Sequence, residues 1–297
     1  MIDYRKLIDS GVHFGHQTSR WCPKMQSYIF GVKNKTHLID VTKTARQTDK
    51  ARAFLEKLTA EGKLILWIGT KKAANKAIQD LAQEVNMPFV THRWVGGTLS
   101  NFSQVKKSVT KLLHLEEVLQ KGDKTTAHYT KKELNVIQKV VERLDRSVGG
   151  LKKLVWPVGA IVVVDVSKEA SAVREAKKMG IPVVALVDTN GDPSLVDYVI
   201  PGNDDDPKAI AVIIDYLKEG VKAGIAVAGQ KGSVAAQKAV DAEEAQDIVS
   251  QTLVLGADEE AVSSDDAKKK VLRKPPVKGG MPQQKRSSYN NKKVEEE

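Results

Sequence analysis

The sequence predicts an α/β fold: a doubly wound, mostly parallel sheet with an inserted antiparallel coiled-coil helical hairpin and a disordered C-terminal tail. Three observations carry this expectation. Short, continuous apolar runs alternate with amphipathic helical stretches from about residue 43 to residue 219. Residues 104–152 interrupt the alternation with two long apolar stripes at helical spacing. Beyond Gly220 the regular apolar period fades, and residues 268–293 hold ten lysines and arginines among Pro, Gly, Gln and Asn.

Residues 43–60 read as an amphipathic helix through Ala45, Ala51, Phe54, Leu55 and Leu58. LILWI (64–68), bounded by Gly62 and Gly69, is a run of the kind found in strands buried on both faces. A helix over 72–84 follows, then Pro88 and a short strand at 89–91. IVVV (161–164) ends at Asp165; the helix through Val173 and Ala176 stops at Met179–Gly180; Pro182 opens VVALV (183–187), which ends at Asp188. The YVI before Pro201 is a last strand, and 208–219 a last clear helix. Strand–helix alternation implies right-handed crossovers and an open sheet wound on both faces.

The two stripes of the interruption are Val105, Val109, Leu112, Leu115, Leu119 and Leu134, Ile137, Val141, Leu144, Val148, Leu151. Thr130 and Glu133 have capping-box spacing. The polar loop 121–129 between the stripes makes a hairpin, and the polar outer faces favour one that projects. The domain reading is therefore a core over 1–103 and 153–225, a hairpin over 104–152 and a low-complexity tail over 226–297, which cannot bury enough apolar surface to offset its ordering entropy.

Of 297 residues 41% are hydrophobic and 5% aromatic; the formal charge is +10, and the pI about 9.4. Such an excess favours polyanion partners, nucleic acid before acidic membrane. One cysteine makes no internal disulfide, no apolar run approaches a membrane span, and MIDYRKLIDS lacks signal-peptide regions. A soluble cytoplasmic protein is expected.

The chemistry-bearing stretches are few. His13, His16, Cys22 and His37 bring up zinc, but a single cysteine and no second close ligand pair argue against a tetrahedral site there, and nothing nearby suggests an orienting group for a Cys22–His nucleophile. GTKKA (69–73) follows a strand and opens a helix but lacks a phosphate-loop pattern; Lys71 and Lys72 either hold a backbone phosphate or are solvated. Asp165 and Asp188 end strands, where doubly wound folds place ligands, and Asp192, Asp204, Asp205 and Asp206 lie in nearby loops. Gathered there, they would either ligate a divalent ion or serve as turn and cap residues. Repulsion among them should raise at least one carboxylate pKa, and His16 is expected near this edge. RWVGGTLSNF (93–102) offers Arg93 and Asn101 to phosphate or ribose and is equally a tight turn into the hairpin.

GVHFGHQTSRWCPKMQSYIFG, RWVGGTLSNF, SVGGLKKL and GIPVVALVDTNGDPSLVDYVIPGNDD together resemble the bacterial small-subunit ribosomal protein two family, in collinear order over roughly residues 1–225. The resemblance implies an α/β core carrying a coiled-coil hairpin on the solvent side of the small subunit, between head and body. It implies contact with ribosomal RNA and neighbouring small-subunit proteins, and retention of the large mRNA-binding small-subunit protein. VWPVG (155–159) departs from the Leu-Pro-Asp usual at this point. By analogy the Gly11–Met25 stretch becomes an RNA- and protein-facing surface. The expected RNA contacts are Arg20, Trp21, Lys24, Lys71, Lys72, Arg93 and Asn101, with no catalytic residue. The candidate metal ligands are His16, Asp188, Asp204 and Asp205, for a structural magnesium or zinc ion; no cofactor is required. The rival reading is a nucleotide- or metal-dependent enzyme or switch at the strand ends near Asp165 and Asp188. It lacks a phosphate loop and runs against the basic charge.

Overall fold

The computed structural model describes residues 2–120 and 130–229. A short helix α1 (Tyr4–Asp9) leads into an antiparallel sheet the sequence reading did not anticipate, with β1 (Phe14–Gln17), β2 (Ile29–Lys33) and β3 (Thr36–Ile39) in the order β1-β3-β2. Its strands are only four or five residues long, and the two outer ones bury none of their residues. Only the central β3 alternates between half-buried and buried positions, and one of its two buried residues is His37, so no apolar alternation marks the sheet. The hairpin turn between β2 and β3 hides its own signal as well. Asn34 and Lys35 both have positive φ (51° and 59°), the backbone of a turn normally marked by Asn-Gly.

α2 (Val41–Ala60) then feeds a parallel sheet of β4 (Leu64–Ile68), β5 (Phe89–Val90), β6 (Val158–Val164), β7 (Val183–Val187) and β8 (Tyr198–Pro201), in the order β5-β4-β6-β7-β8. Both faces are covered, which is why the strands are continuously apolar. Ile65, Trp67, Ala160, Val162, Val184 and Leu186 pack with Leu55, Ile78, Leu81, Ile210 and Ile213 from α2, α3 (Asn75–Glu84) and α7 (residues 207–229). Leu66, Ile68, Ile161, Val163, Val183 and Ala185 face the other way, against Val173 and Ala176 of α6 (Ala170–Lys178).

That second cluster also takes Val105, Val109 and Leu112 of α4 (Phe102–Gln120) and Val148 of α5 (Lys131–Val148), so the base of the inserted helix pair is continuous with the core. Lys152 joins the two helices, 2.6 Å from Glu116 and 3.5 Å from Asp145. The capping box opens α5: the Thr130 hydroxyl accepts from the Glu133 N–H, while the Glu133 carboxylate accepts from the Thr130 N–H at 2.7 Å. Two packed helices thus stand where a hairpin is expected, and the loop at 121–129 lies outside the described residues.

Two helix limits differ from expectation. α3 begins at Asn75, not Lys72, because residues 71–74 form a turn whose Lys71 carbonyl accepts from the N–H groups of Ala74 and Asn75. α7 runs through Gly220 to residue 229. The disorder expected of the tail concerns, from residue 230 on, residues outside the described ones.

In chain order the parallel strands read 2-1-3-4-5, one of the two common doubly wound arrangements, with its topological switch between β4 and β6. The crevice beyond the carboxyl ends of those strands is where such folds place ligands.

Candidate functional site

At that crevice four strand ends deliver charge. β4 gives way to Gly69, Thr70 and Lys71; β6 to Asp165, held in the left-handed region at φ 69°; β7 to Asp188; and β8 to Asp204 and Asp205. Gly69 has a packing reason to be glycine: a Cβ there would lie 2.2 Å from Ile78 Cδ1 of α3.

Lys71 Nζ lies 2.6 Å from Asp204 Oδ1, 2.5 Å from Asp205 Oδ1 and 3.5 Å from Asp165 Oδ2. Burial works against its charge, but these carboxylates hold its pKa well above the usual lysine range. Asp204 is 1% exposed, and burial, reinforced by Asp165 and Asp188, pushes its pKa up to about 7 despite Lys71. The neighbouring Glu169 is also buried and raised by that burial; it accepts from the backbone N–H and hydroxyl of Thr70.

The N-terminal sheet closes the site. Gly15 permits this: a Cβ there would meet Thr189 Cγ2 at 2.6 Å. With β1 so close, the His16 N–H donates to Thr189 Oγ1 at 2.9 Å, and Cys22 N donates to the Thr189 carbonyl at 2.7 Å. His16 Nδ1 lies 2.9 Å from Asp188 Oδ2, and Nε2 3.3 Å from Asp205 Oδ2. The hydrogen bond to Asp188 raises the His16 pKa against partial burial, with charge on Asp188, Asp205 and Asp204 adding to it. His16, Asp188 and Asp205 can present one ligand atom each, all within 4.8 Å of one another. Asp204 is turned instead to Lys71, and His13, Cys22 and His37 are not part of this grouping.

The RWVGGTLSNF loop is organised elsewhere, by Glu175 of α6. Its carboxylate accepts from Trp94 Nε1 (3.0 Å), the N–H groups of Gly97 (3.3 Å), Leu99 (2.9 Å) and Ser100 (2.8 Å), and the Ser100 hydroxyl (2.9 Å). Burial pulls its pKa up, but these donors hold it below the usual range. Nothing in the sequence singles Glu175 out, since it reads as one more polar position on an amphipathic helix. Glu175→Ala should destabilise the protein by about 2 kcal/mol, because charge-assisted hydrogen bonds are lost and backbone donors are left unmet. Glu175→Gln, which keeps an acceptor oxygen, should cost less. Chemical denaturation of the two variants decides this, and equal losses would mean that the side chain acts only by packing.

The expected RNA contacts fall into three situations. Arg20, Lys72 and Arg93 are exposed, with no ion pair among the described residues, and Asn101 is exposed immediately before α4. Lys24 is exposed but bound to Asp192 at 2.8 Å, and Trp21 is half-buried against the His37 ring at 5.1 Å. Lys71 is different in kind: its ammonium is enclosed by three carboxylates, so in this arrangement it is an internal counter-ion and not a group offered to phosphate. Sequence reasoning looked outward for the cation that relieves the acids; the chain supplies it from its own β4–α3 turn.

The molecule is thus a doubly wound α/β protein whose crevice at the strand switch is filled by its own lysine and closed by its N-terminal sheet. The chain belongs to the ribosomal protein S2 family, which it matches over residues 7–224. It is 43% identical over 246 residues to the small ribosomal subunit protein uS2 of Saccharophagus degradans, covering 82% of this chain and 99% of that one. The uS2 protein of Wolinella succinogenes is 40% identical over 255 residues, covering 85% and 93% of the two chains. That of Micrococcus luteus is 43% identical over 239 residues, covering 80% and 84%. The family is one of structural ribosomal proteins and not of enzymes, which removes the nucleotide-dependent enzyme reading of the Asp165 and Asp188 edge. No helix among the described residues is long and apolar enough to cross a membrane.

Proposed function

We propose that the chain is a structural constituent of the small subunit of the cytoplasmic ribosome, where it binds ribosomal RNA and helps retain the large mRNA-binding small-subunit protein during translation. The observation that carries the RNA part is that exposed cations without an ion pair among the described residues include Arg20, Lys72 and Arg93, on a chain of formal charge +10. Phosphate contacts of this kind position a protein on RNA without reading its sequence. Trp21 and Asn101 add a stacking face and a hydrogen-bonding group. Neighbouring small-subunit proteins complete its partners, and no membrane is involved.

The closed edge serves the protein partner in this reading. A histidine nitrogen and two carboxylate oxygens suit a structural divalent ion, and zinc better than magnesium, which prefers an all-oxygen octahedron. Such an ion would fasten the N-terminal sheet to the β7 and β8 loops at the surface where the partner is held; no catalysis is asked of it. The test replaces Asp188 and Asp205 with asparagine, then measures bound metal and retention of the mRNA-binding protein on purified small subunits. Loss of both is expected. If both quantities match the unmodified protein, the acids are turn and cap residues and the site reading is wrong.

A further inference from the structure

A groove of about 670 Å³ lies between α2 and the start of β8, at the end of the sheet opposite to Lys71. Its position follows from the parallel strands: Lys63 immediately precedes β4 and Tyr198 is the first residue of β8, whereas the Lys71 cluster sits beyond the last residues of the same strands. The floor is an aromatic pair, with the rings of Phe54 and Tyr198 stacked at 4.2 Å and 20°. The rim carries Lys50, Lys57 and Lys63. Glu61 is the one acid on it, and it is bound to Lys63 at 2.9 Å. Lys50 and Lys57 are exposed and make no ion pair among the described residues. Seven residues apart on one helix, they stand about 10 Å from each other along the axis, with Phe54 between them.

We infer that this groove is a second RNA-contact surface, in which Lys50 and Lys57 hold consecutive stretches of a ribosomal RNA backbone and an unpaired base stacks against the Phe54–Tyr198 pair. The inference deepens the RNA-binding reading above and rests on it. With Glu61 paired to Lys63, the charge left over on the rim is positive, above a floor that is aromatic. A sugar–phosphate chain with a splayed base satisfies both parts at once, since phosphates neutralise the rim while any base offers a π-face to the floor. The acidic side chains of a peptide would match the rim but offer no aromatic face to the floor, whereas every nucleotide carries both a phosphate and a base. With contacts at both ends of the sheet, the α/β core would be gripped by RNA across its length and not along one edge.

The test uses the full chain and a transcript of the small-subunit ribosomal RNA, with affinity measured across a salt series. Lys50→Ala with Lys57→Ala should weaken binding about tenfold and flatten the salt slope by about 1.5 to 2, one phosphate per lysine. Both residues are exposed on α2, so this variant keeps the core packing. Tyr198→Leu should weaken binding about tenfold with the slope unchanged, as loss of stacking predicts. Ultraviolet cross-linking of the unmodified complex should attach nucleotide to the peptide that carries Phe54 or Tyr198. If the unmodified protein binds the transcript with a steep salt slope while the lysine pair variant binds equally well and no cross-link maps to α2 or β8, this groove is not an RNA site, though the RNA reading stands. If the unmodified protein does not bind the transcript, both fall together. If the lysine pair variant keeps its RNA affinity but loses binding to polyglutamate, the groove belongs to an acidic protein partner and the inference is overturned.

Discussion

Replacing Lys71 with methionine is expected to lower stability by about 3–5 kcal/mol, the cost of removing one partner from a buried group of ions. For a core of this size that is a fall of roughly 10 °C in Tm. Methionine keeps the length and most of the apolar stem, so the loss comes from charge. Without the ammonium, Asp165, Asp204 and Asp205 face one another with only His16, 3.3 Å from Asp205, left beside them, and Asp204 is 1% exposed. The effect should depend on pH with a definite sign. Asp204 holds its proton up to about pH 7 in the fold, against about 4 in an unfolded chain. Across that window the folded state binds more protons, so stability falls as pH rises. His16, whose pKa is also raised, acts in the same sense: its contribution is complete below about pH 6.5 and is lost as pH passes its folded value. The methionine variant should therefore be nearest to the unmodified protein around pH 5 and farthest from it at pH 8. Adding Asp204→Asn should recover part of the loss at pH 8, since the two sites are coupled through one contact. Thermal melts of the single and double variants at the two pH values check this, and a deficit independent of pH would show that the lysine acts through its stem alone.

The parallel sheet was legible because burial on both faces writes itself as uninterrupted apolar runs. LILWI and VVALV match β4 and β7 residue for residue, and the strand ends at Asp165 and Asp188 follow from the polar residue that closes each run. The N-terminal sheet was not legible for the converse reason. Phe30 is 79% exposed and Val32 56%, so its edge strand has apolar residues where no core demands them. The Asn34–Lys35 turn adds nothing distinctive at sequence level. The candidate site was half visible. Sequence marks the acids as a group because they close strands or sit in short loops after them. It does not say which cation answers them, because that depends on the depth of the β4–α3 turn. The burial that leaves Lys71 Nζ within 2.6 Å of Asp204 is a property of packing around Gly69 and Ile78. Glu175 was invisible altogether, since its five donors come from a loop some seventy-five residues away in the chain.

Affinity for ribosomal RNA should fall about 10³-fold between 50 and 200 mM salt. The figure follows from counterion release: each neutralised phosphate contributes about 0.9 to the slope of log affinity against log salt, so about six contacts over a fourfold change in salt give roughly three decades. Of the cations on exposed positions, six are assigned to RNA: Arg20, Lys24, Lys72 and Arg93 among the expected contacts, with Lys50 and Lys57 in the groove. Lys24 counts because its pair with Asp192 is exposed on both sides and holds it only weakly in water. Arg20→Ala or Arg93→Ala should each reduce the slope by about one and weaken binding to all RNA sequences alike, the mark of a phosphate contact and not of base readout. Lys71 supplies the discriminating control. Its charge is spent on Asp165, Asp204 and Asp205, so the folded fraction of Lys71→Met should show the same slope as the unmodified protein. Filter binding across a salt series measures every one of these slopes. A flat response of the unmodified protein would remove phosphate neutralisation as the source of affinity. A slope that drops by one in Lys71→Met would mean that RNA binding draws this lysine out of its carboxylate cage, and that the closed edge opens on the ribosome.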